Sequence, residues 1–503
     1  MSKSLRGRLL AAIFTTGVVS ATAVGPACAE TLADAVALAY DSNPTLQSAR
    51  ATQRALDETY VQARAGWRPT VTLAGTAQHT EDRVPRDLGT FLNPGGISHS
   101  NAASASVTVS QPLYTGGRVG AAVSAAEADI LAGRESLRRV EAQVLASVIQ
   151  AYIDVRRDQE SLSIRQANVR VLTDQLAESN ARYDVGEITK TDVAQSQARL
   201  AGAQAQLQSA LAQLATSRAN YAAVVGQNPG DLAPEPSLVS LMPTDVDQAF
   251  DVAEDNNPQI RQAEFAEQAS RARLAGAKAE RLPNISLQGR YSQSGPGDPM
   301  DSDRYVQNVT GTVNVTVPLF SGGLVSSRIR QTSERNSAAR IDVEGARRTV
   351  LQNITQAWNL LIAARANIGS TAEQVRATRI AQEGTRQEQQ VGLRTTIDVL
   401  NAELELRQAE LAQVNARRDE YAAAAAVLLS MGRLEAKNLI PTVARYDPAT
   451  NFGKLRITWG WVPWEEPVGV IDSLLTPKPQ EKPVEGPVTN TPLAQPAAAP
   501  AAN

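Results

Sequence analysis

Two short stretches of the chain gather the residues best suited to charge chemistry. Val185-Gly186 is followed by Thr189, Thr191 and Asp192, and Val391-Gly392 by Arg394, Thr395, Asp398 and Asn401. Thr189…Asp192 and Thr395…Asp398 have the Ser/Thr-x-x-acid spacing, in which hydroxyl and carboxylate satisfy the first N–H groups of a helix. The same carboxylates can serve as fixed charges, because acids ringing a narrow passage draw cations into it. Capping and gating are both open to each Asp, and the two coexist. His79 and His99 are the only histidines. Both fall near a segment expected to be a solvated loop, residues 82–102, and without an acid cluster no metal site is expected there. No nucleophile elbow, phosphate-binding loop or dinucleotide fingerprint occurs, so neither an enzyme nor a cofactor is expected.

The elements that hold these turns come in two copies. Asn43-Pro44 recurs as Asn257-Pro258, and Arg68-Pro69-Thr70-Val71-Thr72-Leu73 as Leu282-Pro283-Asn284-Ile285-Ser286-Leu287, at one offset of 214. Pro112-Leu113-Tyr114-Thr115-Gly116-Gly117 recurs as Pro318-Leu319-Phe320-Ser321-Gly322-Gly323 at an offset of 206, which Gly186 and Gly392, Asp192 and Asp398, and Gly226 and Gly432 share. The offset changes only between the strand segments, so the second hairpin tip is eight residues shorter. Several motifs agreeing on one register define two repeats, 30–230 and 245–435.

Each repeat is expected to run helix, strand, strand, long helix, turn, helix. The strand pairs are placed at 68–80 with 103–113 and at 284–294 with 305–319. Val309, Gly311, Val313, Val315 and Val317 alternate with Thr310, Thr312, Asn314 and Thr316. One apolar and one polar face, over about 9–11 residues, suits a strand between lipid and a water-filled lumen. A soluble sheet with one wet face has the same period. Between Leu113 and Tyr183 there is no proline, and Val148, Val155, Leu162, Val169, Leu176 and Tyr183 recur every seven residues. Val193, Leu200, Leu207, Leu214 and Tyr221 do the same on the return. Such heptads wind helices around one another, and about 70 residues span roughly 105 Å. The second repeat keeps Ile354, Leu361, Ile368 and Val375, then carries Gln382 and Gln389 where the first has Leu176 and Tyr183. Pro112 and Pro318 are expected to end strand pairing, with Gly116-Gly117 and Gly322-Gly323 turning the chain into the long helices.

Composition agrees. The chain has 503 residues with 4% aromatics, sparse for a large catalytic core, and a net charge of −3. No basic stripe marks a nucleic-acid partner. Lys3, Arg6 and Arg8, an apolar stretch from Leu9 to Val19 and Ala27-Cys28-Ala29 form a secretory signal over 1–29. Its removal leaves 46 Lys and Arg against 52 Asp and Glu, a net −6. Cys28 is the only cysteine and falls within the signal; the preceding Gly25-Pro26-Ala27 lacks the Leu of a lipidation motif. Residues 436–475 leave the repeat and carry Trp459, Trp461 and Trp464, expected to pack on the helices. Residues 476–503 hold seven prolines and are expected to be disordered.

Four strands cannot close a barrel, and lipid does not tolerate open edges, so such a chain must oligomerise. Two copies supply eight strands, which fill their own interior; three supply twelve. The Asn43-Pro44 and Trp67-Arg68-Pro69 segments, the two Pro-Leu-aromatic-x-Gly-Gly joints and the two tip turns resemble the TolC family of outer-membrane factors over about residues 31–435. The resemblance implies an α+β membrane protein of the cell outer membrane. It would be a homotrimeric twelve-stranded β-barrel in outer-membrane lipid, continued by an α-helical barrel through the periplasm. It implies the exit duct of type I secretion or multidrug efflux, joined by a periplasmic adaptor (membrane fusion protein) to an inner-membrane ABC or RND transporter. By position, Thr191, Asp192 and Arg394 match the family's closing network at the periplasmic entrance, and Asp398 and Asn401 its acid ring. Asn401 stands where the family has a second acid, and Gln389 where it has an aromatic. In a trimer, three Asp398 carboxylates would repel one another, and Arg394 could bridge to a neighbour's Asp192. The competing expectation is a periplasmic coiled-coil adaptor or scaffold, which needs neither four membrane-length strands nor a duplicated hairpin.

Overall fold

The computed structural model describes residues 29–84, 96–297, 302–440, 446–455, 465–474 and 476–480. Trp459, Trp461, Trp464 and all of the signal segment but Ala29 lie outside these residues. The first repeat runs α1 (Leu32–Ser42), α2 (Pro44–Arg64), β1 (Thr70–Val84), β2 (Gly96–Tyr114), α3 (Arg118–Asp184) and α4 (Lys190–Val225). The second runs α5 (Val246–Asn256), α6 (Pro258–Ala279), β3 (Asn284–Pro296), β4 (Val306–Thr316), α7 (Leu324–Gln390) and α8 (Thr396–Ser430). Three short helices follow: α9 (Ala436–Leu439), α10 (Pro448–Leu455) and α11 (Glu465–Ser473).

The duplicated Asn-Pro pairs have a physical role. Asn43 caps α2 through Thr45 N–H (3.0 Å), while its amide donates to Val224 O (2.9 Å) at the end of α4. Asn257 caps α6 through Gln259 N–H (2.8 Å) and donates to Ser430 O (2.6 Å) at the end of α8. Proline at the first helical position costs nothing, since that N–H has no partner inside the helix. Each pair thus starts one helix and ties down the end of another.

The helices α3 and α7 have 67 residues each, about 100 Å at ~1.5 Å per residue. Their heptad positions meet those of α4 and α8 in the main core: Val148, Val155, Leu214, Tyr221, Ile354 and Leu361 are buried there with Tyr152 and Leu428. Burying each such side chain contributes about 1.5–3 kcal/mol. Nearer the tip the core narrows to Leu172, Ala203 and Leu400. Elsewhere α7 leaves Ile341, Leu360 and Ile380 exposed.

The four strands form one antiparallel sheet in the order β1-β2-β3-β4. Register places like residues side by side: Leu73 opposite Val107, Val107 opposite Tyr291, Tyr291 opposite Val309. Thr72, Thr108, Arg290 and Thr310 line up in the same way one residue over. A strand's side chains alternate between faces, so the first row belongs to an apolar face and the second to a polar one. The first two strands are longer than the 68–80 and 103–113 expected, at 15 and 19 residues. Consequently His79 and His99 sit on paired strands rather than in a loop. Their rings stack with centroids 5.8 Å apart, and His79 Nδ1 lies 2.6 Å from Asn101 Oδ1. Polar side chains do not end a ladder whose hydrogen bonds are made by the backbone; residues 85–95 of the expected loop lie outside the described residues. β4, at Val306–Thr316, is shorter than 305–319.

Pro112 does not end the pairing of β2 as expected. It lies opposite Ser286, with a register shift before Tyr114 pairs with Ile285. A bulge accommodates the missing N–H. Pro318 does lie beyond the end of β4.

Candidate functional site

At the far end of the long helices the two tip turns have the same backbone. Gly186 (φ 80°) and Gly392 (φ 81°) adopt the left-handed conformation. Glu187 N–H reaches back to Arg182 O and Leu393 N–H to Glu388 O, both at 2.9 Å. This is the helix C-terminal motif that glycine permits, since a Cβ there would be strained. Four residues later each return helix starts with a full capping box. Thr189 N–H and Oγ1 donate to Asp192 Oδ2 at 2.9 and 2.7 Å, and Thr395 to Asp398 Oδ2 at 3.0 and 2.7 Å. Hydrogen bonds from the Thr189 hydroxyl and N–H hold the Asp192 carboxyl below its ordinary pKa; Thr395 does the same for Asp398. Both carboxylates are therefore ionised caps.

Arg394 Nε donates to Glu388 Oε2 at 2.8 Å, spanning the turn within one chain, and this neighbouring carboxylate raises the guanidinium pKa. The sequence comparison of repeats missed Glu388, although opposite charges flanking a Gly turn were the available signal; Arg182 and Glu187 (3.1 Å) form the counterpart in the first turn. Asn401 Oδ1 accepts from Arg199 Nη2 at 2.9 Å, linking α8 to α4. Gln389 is buried, and its Nε2 has no partner among the described residues. Thr191 is exposed. Val185, Val391 and Leu393 are largely exposed as well, so the tip presents apolar side chains beside charged ones.

The opposite end of α3 and α7 is the joint with the sheet. Gly116-Gly117 and Gly322-Gly323 all have positive φ, from 61° to 87°, and turn the chain from strand to helix. The environments of the two joints differ. In the second, Leu319 and Phe320 are about nine-tenths exposed. In the first, Asp472 of α11, itself 2% exposed, accepts from Thr115 N (2.8 Å), Thr115 Oγ1 (2.7 Å), Gly117 N (3.0 Å), Gly120 N (3.3 Å) and Trp67 Nε1 (3.2 Å). Gly117 offers no side-chain cap to α3, so an acid 355 residues away supplies it. Burial alone would raise the Asp472 pKa, but the bonds from Gly117, Thr115 and Trp67 outweigh it and leave it lowered. Glu465, fully buried, pairs with Arg64 (2.7 Å) and Arg68 (3.1 Å). Neither acid belongs to a motif, and sequence reading did not find them. Thr476–Gln480, expected to be disordered, continues this segment, with Gln480 N–H on Gln268 Oε1 at 2.9 Å.

The geometry describes a long helical shaft with a capped, charged tip and a sheet at its base. No described helix is long and apolar enough to cross a membrane. The family model described as outer membrane efflux protein matches residues 35–227 and 249–433, one segment per repeat. Outer membrane efflux protein BepC of Brucella suis biovar 1 is 32% identical over 459 residues, 91% of this chain and 97% of its own length. Alkaline protease secretion protein AprF of Pseudomonas aeruginosa is 24% identical over 324 residues, 63% of this chain and 67% of its own. The Campylobacter jejuni CmeC outer membrane channel, a solved structure, shares the fold with a TM-score of 0.70 at 14% identity, covering 85% of this chain and 89% of that one.

Proposed function

The chain belongs to the outer membrane efflux protein family, and on that premise we propose that it is the passive exit duct of a tripartite export system. The observation that carries this reading is a four-stranded sheet with open edges at β1 and β4, running directly into helices about 100 Å long. In lipid an unpaired edge has no water to turn to, so other copies must pair it. Three copies give twelve strands and leave a passage; two would fill their own interior. The bare Leu319 and Phe320 beside the β4 edge, and Ile341, Leu360 and Ile380 on α7, are the surface a homotrimer would cover.

The tip is the gate. Asp398 caps α8 and, repeated three times around the axis, also repels its copies and attracts cations. Thr191, Asp192, Gln389 and Asn401 surround the same entrance. Arg394 and Glu388 are each about half exposed, and ion pairs of that kind yield to a competing contact. A periplasmic adaptor, engaged with an inner-membrane ABC or RND transporter, opens the entrance by docking on this tip. The names of BepC and AprF, efflux for one and protease secretion for the other, support export as the task.

The experiment is single-channel conductance of the purified mature protein in a planar bilayer, with Arg394→Ser alongside. Small cation-favouring steps for the parent and larger ones for the variant are expected. Equal steps would return Arg394 to a structural role. Absence of steps in both, from folded protein, would replace the duct with a scaffold.

A further inference from the structure

Beside the first joint lies a groove of about 580 Å³, open to solvent. One of its walls is a single face of α6. Arg271, Ala275 and Lys278 follow one another at four- and three-residue steps, which keeps them on one side of the helix, and Leu282 lies just beyond its end. Ile329 of α7 and the Gly116-Gly117 turn close two other sides, and Thr476-Pro477 of the tail forms the rim. That rim is held in place: Thr476 N–H donates to Ser473 O (3.0 Å), Gln480 to Gln268, and Ser124 to Pro477 O. A smaller groove, lined by Gln268, Arg271 and Lys478, continues it.

The lining combines two chemistries. Leu274, Leu282 and Ile329 supply apolar surface, and Arg271, Lys278 and Arg281 supply positive charge. Arg271 is engaged by Glu267. Among the described residues, Lys278 and Arg281 have no carboxylate partner, and Arg281 reaches only Ser326 Oγ, at 3.3 Å. Two uncompensated cations above an apolar floor suit a ligand with an anionic head and a hydrocarbon stem.

The location identifies the source of such a ligand. Arg281 is four residues before Ile285, which with Leu287 opens the apolar face of β3, so Arg281 lies within about 13 Å of that face at about 3.3 Å per residue, and Lys278 sits one helical turn further back, near the end of α6. The rim is also linked to that strand face. Gln111, on the strand face of Val107 and Val109, donates to Trp67 O (2.8 Å), and Trp67 is bonded to Asp472 of α11, the helix that leads into the rim. We propose that this groove binds the phosphate head and proximal acyl methylenes of an anionic phospholipid from the periplasmic leaflet of the outer membrane. One such lipid per chain would anchor the joint at a fixed depth. This inference rests on the membrane placement of the sheet.

The test is calorimetric titration of the mature protein in mild detergent with dioctanoyl phosphatidylglycerol, dioctanoyl phosphatidylcholine and inorganic phosphate. Phosphatidylglycerol should bind at one site per chain, at least tenfold tighter than either control. Lys278→Ala with Arg281→Ala should weaken it about 25-fold, taking about fivefold per cation near an anionic headgroup, while pore conductance is unchanged. Lys278→Glu alone, which leaves the Arg281–Ser326 contact in place, should give a loss of at least fivefold. Equal affinity for phosphatidylcholine, equal affinity for phosphate, or variants within twofold of the parent would each overturn the site. Parent protein absent from outer-membrane fractions would overturn the placement instead, a result that fractionation reads independently of the titration.

Discussion

Replacing Asp472 by Ala should release the first turn of α3 and the segment that covers it. Five donors converge on this one buried carboxylate. A hydrogen bond to a charged group contributes about 1.5–3 kcal/mol, but the losses do not add, because water reaches part of the freed site. A buried donor left without an acceptor costs about 1–3 kcal/mol, so with several stranded together and water reaching some of them the loss expected here is about 3–5 kcal/mol. By the rule of tenfold per ~1.4 kcal/mol, opening of the joint should become more than about a hundredfold easier. Hydrogen–deuterium exchange with peptide resolution is the assay, since it measures local opening in an assembly that need not refold. Thr115, Gly117, Gly120 and the segment 465–480 should lose protection together, while the tip turns at 186 and 392 keep theirs. Asp472→Asn should be nearly as damaging, because its amide presents N–H groups to N–H donors. The pH dependence follows from the lowered pKa. A carboxyl depressed in the folded state contributes its stability above the ordinary value of ~3.9 and loses it as pH falls through the lower folded value. Protection at the joint should therefore be the same at pH 5 as at pH 7. An Ala variant whose exchange at 115–120 stays within threefold of the parent would refute the reasoning.

Other outcomes can be checked as directly. Asp398→Asn should lower the cation preference of the pore, measured as reversal potential, while Thr395→Ala should keep that preference and weaken the start of α8 by about 1 kcal/mol, seen as faster exchange there. Leu73→Arg, on the apolar face, should cost about 2–4 kcal/mol and deplete heat-resistant oligomer in outer-membrane fractions; Thr72→Arg, one residue over and on the polar face, should assemble normally. Leu361→Ala removes a buried heptad side chain and should lower stability by about 2–5 kcal/mol in denaturant titration without changing conductance.

Much of the architecture was legible because it is local or periodic. Heptads, strand alternation, glycine pairs and Thr-x-x-Asp caps act over a few residues, so spacing alone exposes them. Duplication helped further, because every motif in one half could be checked in the other. Expectations failed where a non-local partner decided the outcome. Pro112 stays within β2 because β3 accommodates a bulge there, and His99 stays in a strand because β1 runs alongside it. The start of 476–503 is not free chain, since Gln268 and Ser124 hold it.

By itself, the sequence determined the two repeats, the long helices, the alternating strands and the capped tip turns, along with the resemblance that placed the chain in an outer membrane. Tertiary structure alone decided which unrelated residues meet: Asp472 with Gly117, Glu465 with Arg64 and Arg68, Arg199 with Asn401. The physical reason is separation along the chain. A cap three residues away leaves a pattern, whereas one supplied from 355 residues away exists only once the long helices have brought the tail back to the joint.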